Sequence, residues 1–138
     1  PDQAGDFRKD DDMKIGLEHV NVTVADIDAS AALLGRLFDW KVRWEGASIH
    51  GGRSVHVGTE DSYVALYQPT HQARAEAETY FTTGGMNHIG VVVDDLDAAE
   101  KRVASEGLIP HNHADYEPGK RFYFDTPDGI EIEVVSYA

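Results

Sequence analysis

The sequence predicts an α+β fold built from two βαβββ modules that form a curved, cup-like sheet. The main observation is a phrase that occurs twice, as H-V-N-V-T-V-A-D-I-D-A-S from His19 and as H-I-G-V-V-V-D-D-L-D-A-A from His88. The two histidines are 69 residues apart (88 − 19), half of the 138-residue chain, and such a repeat indicates two copies of one supersecondary unit. The second observation is the alternation of β-branched residues after each histidine, which is typical of a strand.

Module one is predicted to run in the order strand, helix and three strands. A strand over residues 17–24 carries His19, and Asp26 or Asp28 then supplies the N-cap of a helix over residues 29–38. Glycines and short polar clusters divide the following residues with turns. Three further strands are therefore expected over residues 41–44, 54–57 and 63–67.

Module two repeats this order. A strand over residues 87–93 precedes a helix that is capped by Asp95 or Asp97 and runs to about residue 105, where Gly107 supplies the left-handed position that ends it. The next strand is placed between residues 109 and 116. A hairpin closes the module, with strands over residues 121–125 and 130–135 and a type I turn over residues 126–129.

These elements divide the chain into a tail and one domain. Residues 1–14 are polar and acidic and are expected to form an N-terminal tail, and residues 15–138 form the domain. Within it we assign residues 15–69 to module one, 70–85 to a linker and 86–138 to module two. The modules can pair within one chain or across a homodimer, which is the assembly we expect, and the sequence does not distinguish the two pairings.

Composition excludes several classes of function. The chain has no cysteine, which excludes disulfides, zinc–thiolate sites, iron–sulfur clusters and thiol catalysis, and which fits a cytoplasmic location. Its net charge of −13 repels the phosphates of nucleic acids and anionic membranes. No apolar run is long enough to cross a bilayer. We therefore expect a small-molecule partner, with neither nucleic acid nor membrane.

Two histidines at equivalent points of a repeat are well suited to holding a metal, and a carboxylate on a terminal strand could join them. Glu131 and Glu133 share one face of the alternating strand I-E-I-E-V-V, and such a pair is costly to bury without a cation or a hydrogen-bond partner. The position in module one that is equivalent to Glu133 is Ala65 (133 − 68), which cannot bind an ion. The candidate ligands are therefore His19, His88 and one glutamate.

This donor set indicates both the ion and its chemistry. Two imidazoles and one carboxylate suit Fe(II), Mn(II), Co(II), Ni(II) or Zn(II). An octahedral ion would keep three open positions, and two of them could take adjacent oxygens of a substrate. The ion would then act as a Lewis acid or bind dioxygen next to the substrate.

The repeated phrases, together with R-F-Y-F-D-T-P-D-G-I-E-I-E-V-V-S-Y near the end, resemble the vicinal oxygen chelate superfamily over about residues 15–138. This group is also called the glyoxalase, bleomycin-resistance and dioxygenase superfamily. The resemblance implies its fold and a metal site made of His19, His88 and Glu133. It selects Glu133 over Glu131, because the family glutamate stands four residues after the glycine of D-x-P-D-G, here Gly129.

The resemblance also orders the possible activities. Glyoxalase I enzymes and methylmalonyl-CoA epimerases of this family use four ligands, and the fourth position falls on Ala65. Extradiol dioxygenases with Fe(II) and fosfomycin-resistance transferases with Mn(II) use three. The latter carry a basic segment that this chain lacks after Glu133. We therefore expect a metal-dependent enzyme that chelates vicinal oxygens of a small molecule, with a ring-cleaving dioxygenase as its most specific form. The alternatives are a metal-free, drug-sequestering binding protein and a glyoxalase I-type lyase or epimerase.

Further residues are assigned roles around the ion. Tyr123 and Arg121 share a face of the strand beside Glu133, so Tyr123 could donate to a metal-bound oxygen and Arg121 could bind a substrate carboxylate. We assign Glu133 and Tyr123 as catalytic. His56 and Tyr67 lie on strands of module one that could line the cup. His113 precedes the Tyr123 strand and could act as an acid or base near neutral pH. Arg121, Tyr67, His56 and His113 are thus the expected substrate contacts.

Overall fold

The protein is described here from a computed structural model over residues 13–73, 79–116 and 119–138. Most of the expected tail, residues 1–12, and residues 74–78 of the expected linker lie outside the described residues. Module one consists of β1 (His19–Thr23), α1 (Ile27–Phe38), β2 (Lys41–Ala47), β3 (Arg53–Gly58) and β4 (Tyr63–Gln68). Module two consists of β5 (Ile89–Val92), α2 (Leu96–Ser105), β6 (His111–Tyr116), β7 (Gly119–Asp125) and β8 (Glu131–Ser136).

Each module folds its four strands into one sheet, and the two sheets have the same topology. The strand orders are β1-β4-β3-β2 and β5-β8-β7-β6. The first strand of each module runs parallel to the last, and the other neighbours are antiparallel. The predicted α+β class with two βαβββ modules is therefore confirmed. Neither helix in the described part of the chain is long and apolar enough to span a membrane.

The helices begin at aspartate caps, as the repeat predicted. The side chain of Asp26 accepts a hydrogen bond from the Ala29 amide (3.1 Å), and Asp95 accepts one from Ala98 (3.0 Å), so the earlier aspartate of each pair is the cap. Helix α1 consequently begins two residues before the predicted start. Gly107 adopts φ +80° after α2, which is the left-handed position expected there.

The two modules share one apolar core. Alternate side chains of each sheet pack against α1 and α2. The most buried residues of the strands and helices belong to a single cluster, which includes Val22, Leu37, Val57, Val103, Phe122 and Phe124. Phe38 of α1 lies 6.4 Å from Phe124, ring centre to ring centre, which joins the modules. The helix-side faces of both sheets are therefore turned towards this shared core.

The opposite side of each sheet carries the polar residues, and we call it the open face. Because side chains alternate along a strand, the positions between the core residues fall on this face. Module one presents His19, His56, Tyr63, Ala65 and Tyr67, and module two presents Arg121, Tyr123, Asp125, Glu131 and Glu133.

Two bulges decide which side chains reach the open faces. In β2 the register slips between Val42 and Trp44, so that Arg43 is an extra residue. In β6 the register slips between His111 and Ala114, and Asn112 adopts φ +53°, a left-handed conformation that asparagine tolerates better than most residues. His111 pairs with Tyr123 and lies on the open face, whereas the ring of His113 lies against Phe122 on the helix side.

Candidate metal centre

The open face of module two brings His88 and Glu133 together. His88 Nε2 lies 3.1 Å from Glu133 Oε1, although His88 comes just before β5 and Glu133 lies on β8. The parallel pairing of Gly90 with Glu133 produces this approach. Two neighbouring ligands about 2.1 Å from one octahedral ion are about 3.0 Å apart. The two donor atoms therefore fit a shared divalent ion.

Arg121 holds the other oxygen of Glu133. Its Nη1 donates to Glu133 Oε2 at 2.7 Å, and Nη2 donates to the Gly119 carbonyl at 3.3 Å. Both charged side chains are nearly buried, at 11% and 12% exposure. The sequence assigned Arg121 to a substrate carboxylate, whereas the structure pairs it with a proposed metal ligand and leaves Oε1 directed towards His88.

Tyr123 lies between two histidines on the same face. It is directly opposite Glu133 in the β7–β8 pair. Its ring meets His88 edge-on at 5.8 Å and stacks with His111 at 6.5 Å between ring centres. This position is next to the His88–Glu133 pair, and the role of Tyr123 in donating to a bound oxygen stays a prediction.

Tyr80, which was not among the expected site residues, also reaches this face. It belongs to the short 3₁₀ turn Thr79–Phe81, within the predicted linker, and donates a hydrogen bond to Glu131. Its hydroxyl also lies 3.4 Å from His88 Nδ1. The bond to Glu131, reinforced by desolvation, raises the pKa of Tyr80 to about 12. In the sequence, Tyr80 stands out only as an aromatic residue within a polar segment.

The open face of module one holds His19 through its neighbours. His19 Nδ1 lies 2.8 Å from Glu18 Oε1, and its ring stacks on Tyr63 at 4.9 Å. The Tyr63 hydroxyl donates to the same Glu18 oxygen at 3.1 Å. The hydrogen bond with His19, followed by that from Tyr63, holds the pKa of Glu18 below its usual value. A carboxylate at Nδ1 orients a histidine so that Nε2 is the nitrogen offered to a metal.

Next to His19 lies a group of rings that we call the aromatic wall, made of Trp44, His56 and Tyr63. His56 stacks on Tyr63 at 4.5 Å and meets Trp44 at 5.0 Å. The bulged residue Arg43 places its guanidinium 4.4 Å from the centre of the Tyr63 ring. Burial, with smaller contributions from the charges of His19 and Arg43, lowers the pKa of His56. Its neutral imidazole form is therefore favoured over the charged form.

Ala65 occupies the position equivalent to Glu133. It pairs with Asn21 of β1 and His56 of β3, just as Glu133 pairs with Gly90 and Tyr123. Its side chain is buried and offers no ligand atom. Gln68 cannot replace it, because the register of β4 is regular and Gln68 Oε1 accepts a hydrogen bond from the Ile27 amide at 2.8 Å.

Two expected substrate contacts form bonds within the chain, and they differ in which face of the sheet they occupy: Tyr67 lies on the open face and His113 on the helix side. The Tyr67 hydroxyl, on the open face, donates to the Ile49 carbonyl at 2.6 Å. His113 Nε2 lies 2.7 Å from Glu100 Oε2 of α2, on the helix side of its sheet. His113 is thus a link between sheet and helix, so we leave it out of the proposed site and retain His56 and Tyr67.

The third proposed ligand is not brought to the other two within one chain. The contacts described above for His19 are with module one, and those for His88 are with module two or the segment before it. Among residues 13–73, 79–116 and 119–138, the group of three histidine, aspartate or glutamate ligand atoms that lie within 4.8 Å of one another is His111, Asp125 and Glu131. Within one chain, His19 is therefore separate from the other two proposed ligands, His88 and Glu133.

Comparison with known proteins supports the fold and the superfamily resemblance. The model of the Glyoxalase/Bleomycin resistance protein/Dioxygenase superfamily matches residues 16–134. No curated protein sequence matches the chain.

Solved structures with low sequence identity share this fold. A glyoxylase/bleomycin resistance protein/dioxygenase domain from Frankia sp. EAN1pec has a TM-score of 0.75 at 23% identity, covering 90% of this chain and 98% of that chain. The second is a mutant of the fosfomycin resistance protein FosX from Listeria monocytogenes, complexed with Mn(II) and 1S,2S-dihydroxypropylphosphonic acid. Its TM-score is 0.69 at 17% identity, and the match covers 89% of this chain and 93% of that chain. TnmS3, an antibiotic binding protein from Streptomyces sp. CB03234, has a TM-score of 0.68 at 19% identity, and the match covers 91% of this chain and 99% of that chain.

Proposed function

Since the chain belongs to the glyoxalase/bleomycin resistance protein/dioxygenase superfamily, we propose that it is a metal-dependent enzyme that binds vicinal oxygens of a small molecule at a divalent ion. The observation that carries the proposal is the 3.1 Å approach of His88 Nε2 to Glu133 Oε1. With His19, these residues would hold the ion, which supplies Lewis acidity to the oxygens it binds. Fe(II), Mn(II), Co(II), Ni(II) and Zn(II) all suit this donor set.

The neighbouring side chains have defined tasks in this proposal. Arg121 fixes Glu133 by binding Oε2, which keeps Oε1 turned towards His88. Tyr123 lies beside both ligands and would hold or donate a proton to a substrate oxygen. Glu18 orients His19. Arg121 and Glu18 thus position the proposed ligands, and Tyr123 handles a proton. The positive charge that would stabilise the substrate oxygens comes from the ion.

We propose that a homodimer completes the site, with the open face of module one in each copy meeting the open face of module two in the partner. The separation of His19 from His88 and Glu133 within one chain supports this arrangement, because the ligand set is otherwise incomplete. The residues before β1 also favour an interface, since Met13, Ile15 and Leu17 are large, apolar and exposed. A cytoplasmic location stays a prediction from the lack of cysteine.

The reaction we favour is ring cleavage by a dioxygenase, because Ala65 removes the fourth ligand on which glyoxalase I-type chemistry depends. The aromatic wall supports a flat, oxygenated aromatic substrate. Anaerobic reconstitution with Fe(II), followed by catechols and oxygen, is expected to produce the colour of ring-cleavage products. A methylglyoxal–glutathione assay is expected to show no turnover. The reverse pair of results would replace the dioxygenase with a glyoxalase.

A second candidate function is metal-free binding of an aromatic small molecule. The aromatic wall favours it, since half-exposed Trp44 and its neighbours could stack on a planar ligand without any ion. Titration with Mn(II) separates the two functions. The enzyme proposal predicts that His88→Ala binds one Mn(II) fewer per chain than wild type, while His71→Ala, at an exposed position after β4 that is not among the proposed ligands, matches wild type. Wild-type protein that binds no Mn(II) would support the binding protein instead.

A further inference from the structure

A second group of ligating side chains lies on the open face of module two, beside the proposed centre. His111 of β6, Asp125 of β7 and Glu131 of β8 each present a ligand atom within 4.8 Å of the others. We propose that these three residues form a separate site for a divalent transition-metal ion. One imidazole and two carboxylates suit Mn(II), Fe(II), Co(II) or Zn(II).

His111 contributes a buried ring nitrogen to this group. Its Nε2 is buried from solvent and makes no hydrogen bond, although Asp125 Oδ2 lies only 3.4 Å away. Buried polar atoms in proteins are nearly always satisfied, so an unsatisfied nitrogen next to a carboxylate calls for an explanation. A cation between the two would satisfy both groups.

The local backbone brings the three residues together. Asp125 and Glu131 are directly opposite in the β7–β8 pair, where two carboxylates repel each other unless something positive lies between them. Because of the bulge at Asn112, His111 pairs with Tyr123 of β7. Asp125 is the next residue of β7 on the same face as Tyr123. Tyr80 donates a hydrogen bond to Glu131, as partners of metal-bound carboxylates commonly do.

This site is distinct from the one formed by His88 and Glu133. The Cα atoms of Glu131 and Glu133, two residues apart on β8, are about 7 Å apart. The two sites share no proposed ligand, so each would hold its own ion. The ring of Tyr123 stands between His88 and His111. All three ligands also come from one module, so binding needs neither His19 nor a partner subunit.

The test is a titration of the full-length protein with Mn(II), in which free Mn(II) is measured by electron paramagnetic resonance. Wild type is expected to bind two ions per chain and His111→Ala one. Asp125→Asn is also expected to bind one ion per chain. Because this substitution preserves the shape of the side chain, the test does not depend on whether His111→Ala folds correctly. His113→Ala is the matched control on the other face of β6 and is expected to bind two.

The outcomes separate this inference from the proposed function. If His111→Ala and Asp125→Asn both bind as many ions as wild type, the second site is overturned. If these variants each lose one ion while His88→Ala loses none, the second site stands and the His19, His88 and Glu133 centre fails. The double variant His88→Ala/His111→Ala is expected to bind no ion if both assignments are right.

Discussion

Arg121 Nη1 lies 2.7 Å from Glu133 Oε2, and the two side chains form a nearly buried ion pair on the open face of module two. The pair gives the Glu133 carboxylate an oppositely charged partner at a site where its side chain is only 12% exposed. It also explains why Glu133 turns its other oxygen towards His88. Arg121 is therefore a positioning residue for the proposed metal ligand.

The first prediction concerns this ion pair. Arg121→Ala leaves the Glu133 charge buried without its partner, and breaking such a pair destabilises a protein by about 3–5 kcal/mol. Urea unfolding of the metal-free protein measures the change. The control is Arg36→Ala, which breaks the more exposed pair with Glu106 and is expected to have a much smaller effect. Equal effects in the two variants would contradict the structural role of Arg121.

The second prediction concerns Ala65. Placing a carboxylate there with Ala65→Glu is expected to destabilise the metal-free protein, because the position is buried. Mn(II) should then raise the melting temperature of Ala65→Glu by more than it raises that of wild type, since a fourth ligand becomes available. Ala65→Gln is the matched control and should not show the extra increase. An equal Mn(II) effect in all three proteins would mean that Ala65 does not face the ion.

The third prediction concerns His56 and pH. Burial lowers its pKa, so the folded protein binds fewer protons at this residue than the unfolded chain. Its contribution to stability is therefore complete above the usual histidine pKa and declines as the pH falls from about 6.5 towards the lowered value. Nuclear magnetic resonance titration of the His56 ring should give a midpoint below 6.5. His56→Gln should lose less stability than wild type between pH 7 and pH 5, and an equal loss would contradict the assignment.

The fourth prediction concerns the aromatic wall. A catechol that stacks there is expected to quench the fluorescence of Trp44, which is half exposed. Trp40 packs against Phe38 beside the core and should respond little. Quenching should therefore persist in Trp40→Phe and disappear in Trp44→Phe. Quenching that survives in Trp44→Phe would place the ligand elsewhere.

The elements of the fold could be predicted from the sequence because their signals are local and occur twice. Alternation at His19 and His88 marked the first strand of each module, and Asp26 and Asp95 cap the helices that follow. The equivalence of Ala65 with Glu133 was likewise expected from the repeat, and the two residues have equivalent partners in their sheets. Each of these inferences needed only the spacing along the chain.

Other features of the site could not be predicted because they depend on bulges and on distant contacts. The extra residue at Asn112 reverses the alternation of β6, which moves His113 to the helix side and leaves His111 on the open face. The partner of Arg121 depends on side-chain conformation across two strands. Tyr80 reaches Glu131 from a segment with no periodic pattern, 51 residues earlier.

An anomalous diffraction map from crystals grown with Mn(II) would locate the bound ion directly. We expect a peak about 2.1 Å from both His88 Nε2 and Glu133 Oε1, with a His19 imidazole as the third protein ligand. A map from Mn(II)-saturated crystals without a peak between His88 and Glu133 would contradict this expectation.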